Sequence, residues 1–460
     1  MFHDRKVKFW VRILAPIFAA GLLLAAAGCG GGSSQTVQPL SAVQIKLHDA
    51  PADNVVAFEI TVNSVVLTDS NGNSVSVLPS PAEIELAHLA GTMEPLALSN
   101  IPQGTYSSAV ITVASPEATF INPATGQLME KNATLASNTA TITFNPALTL
   151  GNGVTSINFD FNLANSVSID ASNNVSVTPS FTVATATVAA EDAQHEDDGE
   201  IEDMAGAVVS VSANSFSIST LQNSQQLTFA VNSSTQFDGM GSLSALTKGM
   251  IVQVNAVTQP DNSLLAKSVE VEVDSTDGLE AEGLVTQVSG SPATLFSMVV
   301  QDEAASSPMA PPLGSPLTVS ITSTTTFGMN SDNVDLSNLP FTPVFDATTL
   351  SKGQGVEADD TTASNGTVTA SQVKLRSQAL VGTVSAYAQS GQQAQFVLTL
   401  PANSAFALLT GSNTVTVFQQ AGTELSDGVM VNNGRTVRVR GLLFLDAGSY
   451  KLVAGKIGMP

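Results

Sequence analysis

Apolar and polar side chains alternate along the chain from Ser41 onward. The segment 43–48 reads Val-Gln-Ile-Lys-Leu-His, and the segment 58–63 has the same period of two. Such alternation is typical of half-buried β-strands. Turn-forming residues at 69–73 and 170–174 separate apolar runs, as they do in hairpins. Roughly eight or more short strands before residue 190 therefore predict a β-sandwich.

After residue 203 one set of landmarks recurs three times, which indicates a repeated module. Each copy opens with a glycine and a β-run, at Gly206, Gly283 and Gly382. Roughly five or six short strands per copy predict a small barrel, because closure of the sheet removes exposed strand edges. The copies also share a Lys-Gly or Asn-Gly turn that leads into a strand, at residues 248–249, 352–353 and 433–434.

The first 28 residues have the pattern of a secretion signal. A positive segment with Arg5 and Lys6 precedes an apolar core, and small residues lead to Cys29, the one cysteine of the chain. The apolar stretch is shorter than the roughly 20 residues of a transmembrane helix. The segment resembles a bacterial lipoprotein signal, and this resemblance implies an acylated Cys29 that attaches the protein to the membrane. The alternative is an ordinary signal peptide, cut near Ala27, that leaves Cys29 as a free thiol.

Other stretches resemble two bacterial families of unknown function. The segments 43–51, 101–106 and 157–163 are similar to signature pieces of a domain that follows lipoprotein signals. That resemblance implies a sandwich like the transthyretin-like and carboxypeptidase-regulatory domains. The spacing of the repeats and their Lys-Gly turn resemble a small OB-like barrel that occurs in tandem on exported proteins. Neither resemblance implies a catalytic residue.

Together these observations predict an all-β protein, with an N-terminal Greek-key-like β-sandwich followed by three small OB-like β-barrel modules. The second module carries two insertions, at 306–316 and 330–343. The expected division is a lipoprotein signal peptide (1–28), a Gly/Ser-rich tether (29–40), the sandwich (41–189), an acidic linker (190–203), and barrel modules at 204–275, 279–377 and 379–460.

Charge argues against one class of partner. The chain has 16 basic and 39 acidic residues, and four of the basic ones lie in the signal. Nucleic-acid binding requires a basic footprint, so no nucleic-acid partner is expected. Because Cys29 is the single cysteine, no disulfide within the chain is possible and stability depends on apolar cores.

The sequence contains no motif of the common enzyme classes, such as a Gly-x-Ser-x-Gly elbow or a His-Glu-x-x-His helix. No catalytic residue, metal ligand or cofactor is therefore predicted. His48 is expected at the surface. His195 lies in the acidic run, where a solvated charge run is the expectation and a loosely held divalent cation the alternative. Asp69–Asn73 begins like a calcium loop but lacks the later glycine and glutamate, so a hairpin turn is expected.

These features predict a lipid-anchored protein of the cell envelope, in the outer membrane if the source is Gram-negative. We expect a non-catalytic scaffold, adhesion or interaction protein with envelope-protein partners. One alternative is an envelope ligand-binding protein for divalent cations or short glycans. The other is an enzyme that acts on the cell wall or on polysaccharides.

Charged residues follow the glycine turns of the second and third modules. Glu357 and Asp359, and likewise Arg438 and Arg440, fall on the strand face opposite the barrel interior. The sequence therefore predicts that these two modules meet through the acidic and basic pairs. The alternative is an ordinary solvated face, on which each pair would contribute only ~0–1 kcal/mol.

Overall fold

The computed structural model describes residues 39–50, 54–90, 93–188, 200–259, 261–273, 279–305, 311–331, 334–364, 367–426 and 428–459. Cys29, most of the tether and the acidic run through residue 199, with His195, lie outside these ranges. Across the described ranges, no helix is both long and apolar enough to cross a membrane.

The N-terminal domain consists of thirteen strands, one short helix and one 3-10 turn. The strands are β1 (Leu40–Ala50), β2 (Val55–Asp69), β3 (Ser74–Ser76), β4 (Ala82–Glu85), β5 (Glu94–Pro102), β6 (Gly104–Ile121), β7 (Leu128–Asn132), β8 (Thr134–Leu135), β9 (Thr139–Leu150), β10 (Val154–Asn162), β11 (Val167–Ile169), β12 (Val175–Val177) and β13 (Phe181–Thr187); the 3-10 turn is Ala87–Leu89, and α1 is Leu163–Ser166.

Two sheets form the predicted sandwich. One has the order β13-β10-β1-β5, with β1 parallel to β10. The other has the order β3-β2-β6-β7, with β4 on β2 and β9 on β6, and a small sheet β11-β12-β8 lies beside them. Apolar residues of both sheets share one core, in which the rings of Phe58 and Phe161 stack at 5.7 Å. The hairpin expected at Asp69 is confirmed, because its Oδ1 accepts hydrogen bonds from Asn71 N and Asn73 N, each at 2.8 Å.

The polar face of β1 is not solvated, contrary to the alternation in the sequence. Gln44 and Lys46 are 0% and 2% exposed. His48, expected at the surface, is half-buried, with Nδ1 3.3 Å from Asp160 Oδ1, and burial lowers the pKa of its ring. The expectation for His48 was wrong because barrel residues pack on this sheet, as Arg438 does at Asp49.

Three barrels follow the sandwich. The first comprises β14 (Glu200–Val211), β15 (Ser215–Thr220), β16 (Gln226–Ala230), β17 (Gln236–Asp238), β18 (Ile251–Thr258) and β19 (Leu264–Val273), with a 3-10 turn at Leu243–Ala245. The second comprises β20 (Leu279–Gly290), β21 (Ala293–Ala305), β22 (Pro316–Ser320), β23 (Thr326–Met329), β24 (Gly355–Ser364) and β25 (Thr367–Leu375). The third comprises β26 (Ser377–Ser390), β27 (Gln393–Thr399), α2 (Ala405–Thr410), β28 (Thr414–Leu425), β29 (Thr436–Asp446) and β30 (Ser449–Gly458).

All three barrels close in the same way, which confirms the repeat. Antiparallel pairs run around four sides of each ring, and one parallel pair completes it: β16 with β19, β22 with β25, and β28 with β30. One predicted boundary is wrong, because residues 200–203, assigned to the linker by their charge, begin β14, where Glu200 and Ile201 pair with β18. Only Arg376 separates β25 from β26, so the second and third barrels are directly joined.

The glycine that opens each copy lies where neighbouring strands leave no room for a side chain. A Cβ on Gly283 would lie 2.0 Å from Val299 O, and one on Gly382 would lie 2.7 Å from Thr399 O. At Gly206 the nearest atom would be Ile218 Cδ1, at 2.7 Å. The repeated glycine is therefore a packing requirement of the barrel.

We predict that Gly283→Ala lowers the free energy of unfolding by about 1–3 kcal/mol, because the added methyl group overpacks a strand crossing. Chemical denaturation monitored by circular dichroism measures the change. Gly241→Ala is the matched control, since a Cβ there meets nothing within 4 Å. Equal midpoints for the two variants would contradict the packing explanation.

Candidate functional site

In each barrel, an outward-facing polar side chain on the strand after the glycine turn lies at a junction between domains. The equivalent residues are Gln253 on β18, Glu357 on β24 and Arg438 on β29. Gln253 and Glu357 are 8% and 0% exposed, and Arg438 is half-buried. The sequence therefore predicted correctly which residues face away from the barrel interior. Other parts of the protein, rather than solvent, cover that face.

The predicted contact between the acidic and basic pairs is not formed. Arg438 Nη1 donates to Asp49 O at 3.0 Å, and Arg440 Nη1 donates to His88 O at 3.4 Å. Both arginines thus reach the sandwich. Glu357 pairs inside its own barrel, with Lys374 Nζ at 2.5 Å and Arg376 Nη1 at 3.1 Å. The sequence prediction was wrong because it matched the two pairs by opposite charge alone. In the fold, the arginines contact the sandwich and Glu357 contacts Lys374 and Arg376.

A cluster of carboxylates lies where the first and second barrels meet. Lys374 Nζ is 3.7 Å from Glu270 of the first barrel and 3.9 Å from Asp359 of the second. Arg376 Nη2 is 2.5 Å from Glu282 Oε1. We call this set the carboxylate cluster; its acidic members are Glu270, Glu272, Glu280, Glu282, Glu357 and Asp359, and its basic members are Lys374 and Arg376.

Burial shifts the titration of the cluster. Desolvation raises the pKa of Glu272 to about 8 and that of Asp359 to about 7. The pKa of Glu280, which is 5% exposed and hydrogen bonded to Glu272, lies well above its usual range for the same reason. These shifts follow from the cost of ionising a carboxyl away from water beside other carboxylates. The cluster therefore retains protons near neutral pH.

Three members of the cluster have the spacing of cation ligands. Glu280, Glu282 and Glu357 offer carboxylate oxygens within 4.8 Å of one another, and they are the one such group in the described part of the chain. Arg376 contacts Glu282 and Glu357, and Glu280 shares a hydrogen bond with Glu272. Within the described residues, protein partners thus already neutralise part of this charge.

A cavity of about 210 Å³ adjoins the cluster, and residues of the sandwich and of all three barrels line it. Glu282 and Arg376 belong to both the cluster and the cavity wall. The wall also includes Gln253 of the first barrel, His88 of the sandwich and Arg440 of the third barrel. This cavity is the candidate functional site, because polar groups of separate domains converge on it.

Glu85 positions the ring of His88 at the cavity. The Glu85 carboxylate is buried, and its Oε1 accepts hydrogen bonds from Phe58 N at 2.7 Å and Ala87 N at 2.9 Å. Its Oε2 is 2.9 Å from His88 Nδ1. Sequence reasoning missed this pair, although a glutamate and a histidine three residues apart can share one tight turn. It also missed Glu282 and Arg376, whose proximity depends on long-range pairing.

The fold and the cavity define an all-β, multidomain protein with a polar junction site. Within this class, residues 41–179 match a family model described as a domain of unknown function (DUF4382), and residues 205–270 match a second domain of unknown function (DUF5666). These matches agree with the unknown-function β-domains expected from the sequence. No curated protein matches the chain.

Among solved structures, the chain is similar to a multidomain protein with nucleic acid binding domains from Streptococcus pneumoniae TIGR4. The two are 12% identical, and the match covers 56% of this chain and 72% of the other. The TM-score of 0.12 is too low to support a conclusion about fold or function.

The raised pKa values predict that stability falls as pH rises. The folded state holds protons that the unfolded state releases above about pH 4.5, so the stabilisation is complete below that pH and is lost up to about pH 8. Each carboxyl contributes at most ~1.4 kcal/mol per pH unit. Lys374 does not contribute to the change in stability between pH 4.5 and pH 8, because its pKa is raised from an ordinary value that is already above 10.

We expect Glu280→Gln to raise the unfolding midpoint at pH 8 more than at pH 5, because the amide is neutral at both values. Thermal unfolding between pH 4 and pH 9 measures the effect. Glu424→Gln, at an exposed position on β28, is the control and should shift the midpoint by a similar amount at pH 5 and pH 8. A Glu280→Gln profile that parallels the unmodified chain would contradict the assignment.

Proposed function

We propose that the protein is a lipid-anchored component of the cell envelope, attached through Cys29 and located in the outer membrane in a Gram-negative source. The positive segment, the short apolar core and the single cysteine support this location. The acidic balance of the chain supports protein partners in the envelope over nucleic acid.

The proposed role is that of a non-catalytic scaffold or interaction protein. The observation that carries it is that every barrel is fastened to the sandwich by buried or half-buried polar contacts. Gln225 Nε2 of the first barrel donates to Leu98 O at 2.7 Å. Gln301 Nε2 of the second barrel donates to Val56 O at 2.6 Å. With the arginines of the third barrel, these contacts make a body that holds surfaces at fixed distances.

The proposal includes the origin of the domains. Five-stranded closure with one parallel pair supports an OB-like ancestry for the barrels. The two-sheet core supports a sandwich of the transthyretin-like type. Neither relationship implies an activity, which is consistent with a scaffold.

The first test concerns the anchor. Cys29→Ser should move the protein from the membrane fraction to the soluble extract, because it removes the sulfur that carries the lipid. Ser33→Ala, in the same tether, is the control and should stay with the membrane. Fractionation followed by immunoblotting measures the distribution. A Cys29→Ser chain that still sediments with membranes would refute the lipid anchor.

The second test concerns the rigid body. Arg438→Glu with Arg440→Glu should increase the radius of gyration in small-angle scattering, because the new carboxylates face the carbonyl oxygens of Asp49 and His88. Adding Glu357→Arg and Asp359→Arg should not restore the original curve, since those residues contact Lys374 and Arg376 instead. Restoration by the fourfold variant would show that the two pairs meet in solution.

A further inference from the structure

One edge of the sandwich is open. β13 is the last strand of the sheet β13-β10-β1-β5, and within the described ranges it pairs with β10 alone. Val188 N donates to Val154 O at 2.9 Å, and Asn162 N donates to Ser180 O at 3.0 Å. Bonding residues alternate along an antiparallel ladder, so the even-numbered residues of β13 bond to β10. The peptide groups of residues 181, 183, 185 and 187 therefore point away from β10, out of the sheet edge.

The sequence of β13 does not protect this edge. Natural proteins protect an exposed edge with charged residues, prolines, bulges or a covering segment. β13 reads Phe-Thr-Val-Ala-Thr-Ala-Thr, without charge or proline, and its register with β10 has no bulge. Thr182, Ala184, Thr185 and Thr187 are exposed. Such a strand is a template for pairing with another strand.

Other edges of the sandwich carry those protections. At the opposite edge of the same sheet, Gln225 of the first barrel bonds to both the N–H and the carbonyl oxygen of Leu98, at 3.3 and 2.7 Å. In the other sheet, β3 and β4 have only three and four residues. β7 contains Glu130 and Lys131, and β9 contains Pro146, which has no N–H to donate. Among the described strands of the sandwich, β13 is thus the edge of ordinary length that lacks a protecting feature.

Charge favours a second copy of the chain as the partner of β13. The chain carries 39 acidic and 16 basic residues, so contact between two copies is opposed wherever their acidic surfaces meet. β13 has no charged side chain, and two β13 strands can therefore meet without opposing carboxylates. A cationic partner, in contrast, would find no carboxylate on this strand.

An antiparallel pair of β13 strands is also self-complementary. A twofold axis through Ala184 places Phe181 opposite Thr187 of the second copy, and Val183 opposite Thr185 of the second copy. The peptide groups of these four residues all point out of the edge, so each opposed pair can exchange two hydrogen bonds. Ala184 lies opposite itself, at a non-hydrogen-bonded position where side chains approach most closely. Its methyl group is small enough for that position.

We propose that β13 pairs with β13 of a second copy of this chain, antiparallel and about a twofold axis at Ala184. The four-stranded sheets of the two copies then join into one sheet of eight strands. The interface is isologous, as in most homodimers. It goes beyond the scaffold role and rests neither on that role nor on the lipid anchor.

Sedimentation equilibrium of the full chain with Cys29→Ser, which has no sulfur at that position to carry a lipid, measures the association. We expect a dimer that dissociates on dilution. Thr185→Pro should weaken the dimer at least about tenfold, because each dimer loses two donors, one from each copy. Thr185 N points away from β10, so the hydrogen bonds inside the sheet remain. Thr185→Val keeps the N–H and is the matched control, which should dimerise as the parent does. Circular dichroism verifies that each variant is folded.

Charge at the twofold axis tests the register. Ala184→Glu and Ala184→Lys should each be monomeric, because like charges directly opposite one another destabilise a strand pair. An equimolar mixture of the two variants should restore the dimer, since the carboxylate of one copy then lies opposite the ammonium group of the other.

A chain that remains monomeric up to about 0.1 mM would overturn the proposal. A dimer that survives Thr185→Pro, or a mixture of the two Ala184 variants that stays monomeric, would place the contact elsewhere and refute it as well. A monomeric chain that binds a synthetic peptide of residues 181–187 would assign the edge to an extended segment of another protein instead of a second copy.

Discussion

Charge that is removed from water must be paired or protonated, and the arrangement of the four domains depends on this constraint. Glu357 is fully buried, yet Lys374 and Arg376 hold it on two sides. Arg438 reaches a backbone carbonyl of the sandwich. Where cations are too few, carboxyls such as Glu272 keep their protons. A barrel shifted by a few ångströms would leave one of these groups without its compensation, so the polar junctions favour a single packing arrangement.

The two insertions of the second barrel act as connections between domains. The first brings Gly314, whose carbonyl oxygen accepts a hydrogen bond from Thr119 of the sandwich at 2.7 Å. The second brings Phe341, whose ring contacts Phe418 and Phe444 of the third barrel, with Lys451 Nζ 4.4 Å from its centre. The barrel with the most irregular sequence is therefore the one that joins the others. Its departures from the repeat follow from its central position.

Local patterns predicted the strands, the three-fold repeat and the sandwich, because period-two alternation and turn residues depend on neighbours in sequence. The sequence also identified Gly283 as a repeated landmark. It did not show why a glycine is needed there, which is the close approach of the Val299 carbonyl oxygen. The candidate site was not predicted. Its residues come from four domains. A polar residue that is buried at a domain junction, such as Lys46, has the same place in the alternation as a residue that faces solvent, so the sequence does not distinguish the two. Only long-range packing shows that Gln253, Glu282 and Arg440 line one cavity.

The position of β1 affects the order in which the protein can assemble. This strand is the first of the described chain, yet it lies between β5 and β10, and Ala42 pairs with Val154 about 110 residues later. A chain that emerges from its N-terminus must therefore keep β1 without its parallel neighbour until β10 appears. Such distant pairing slows folding and exposes apolar edges. The sheet β13-β10-β1-β5 can therefore be completed only after β10 and β13 have emerged.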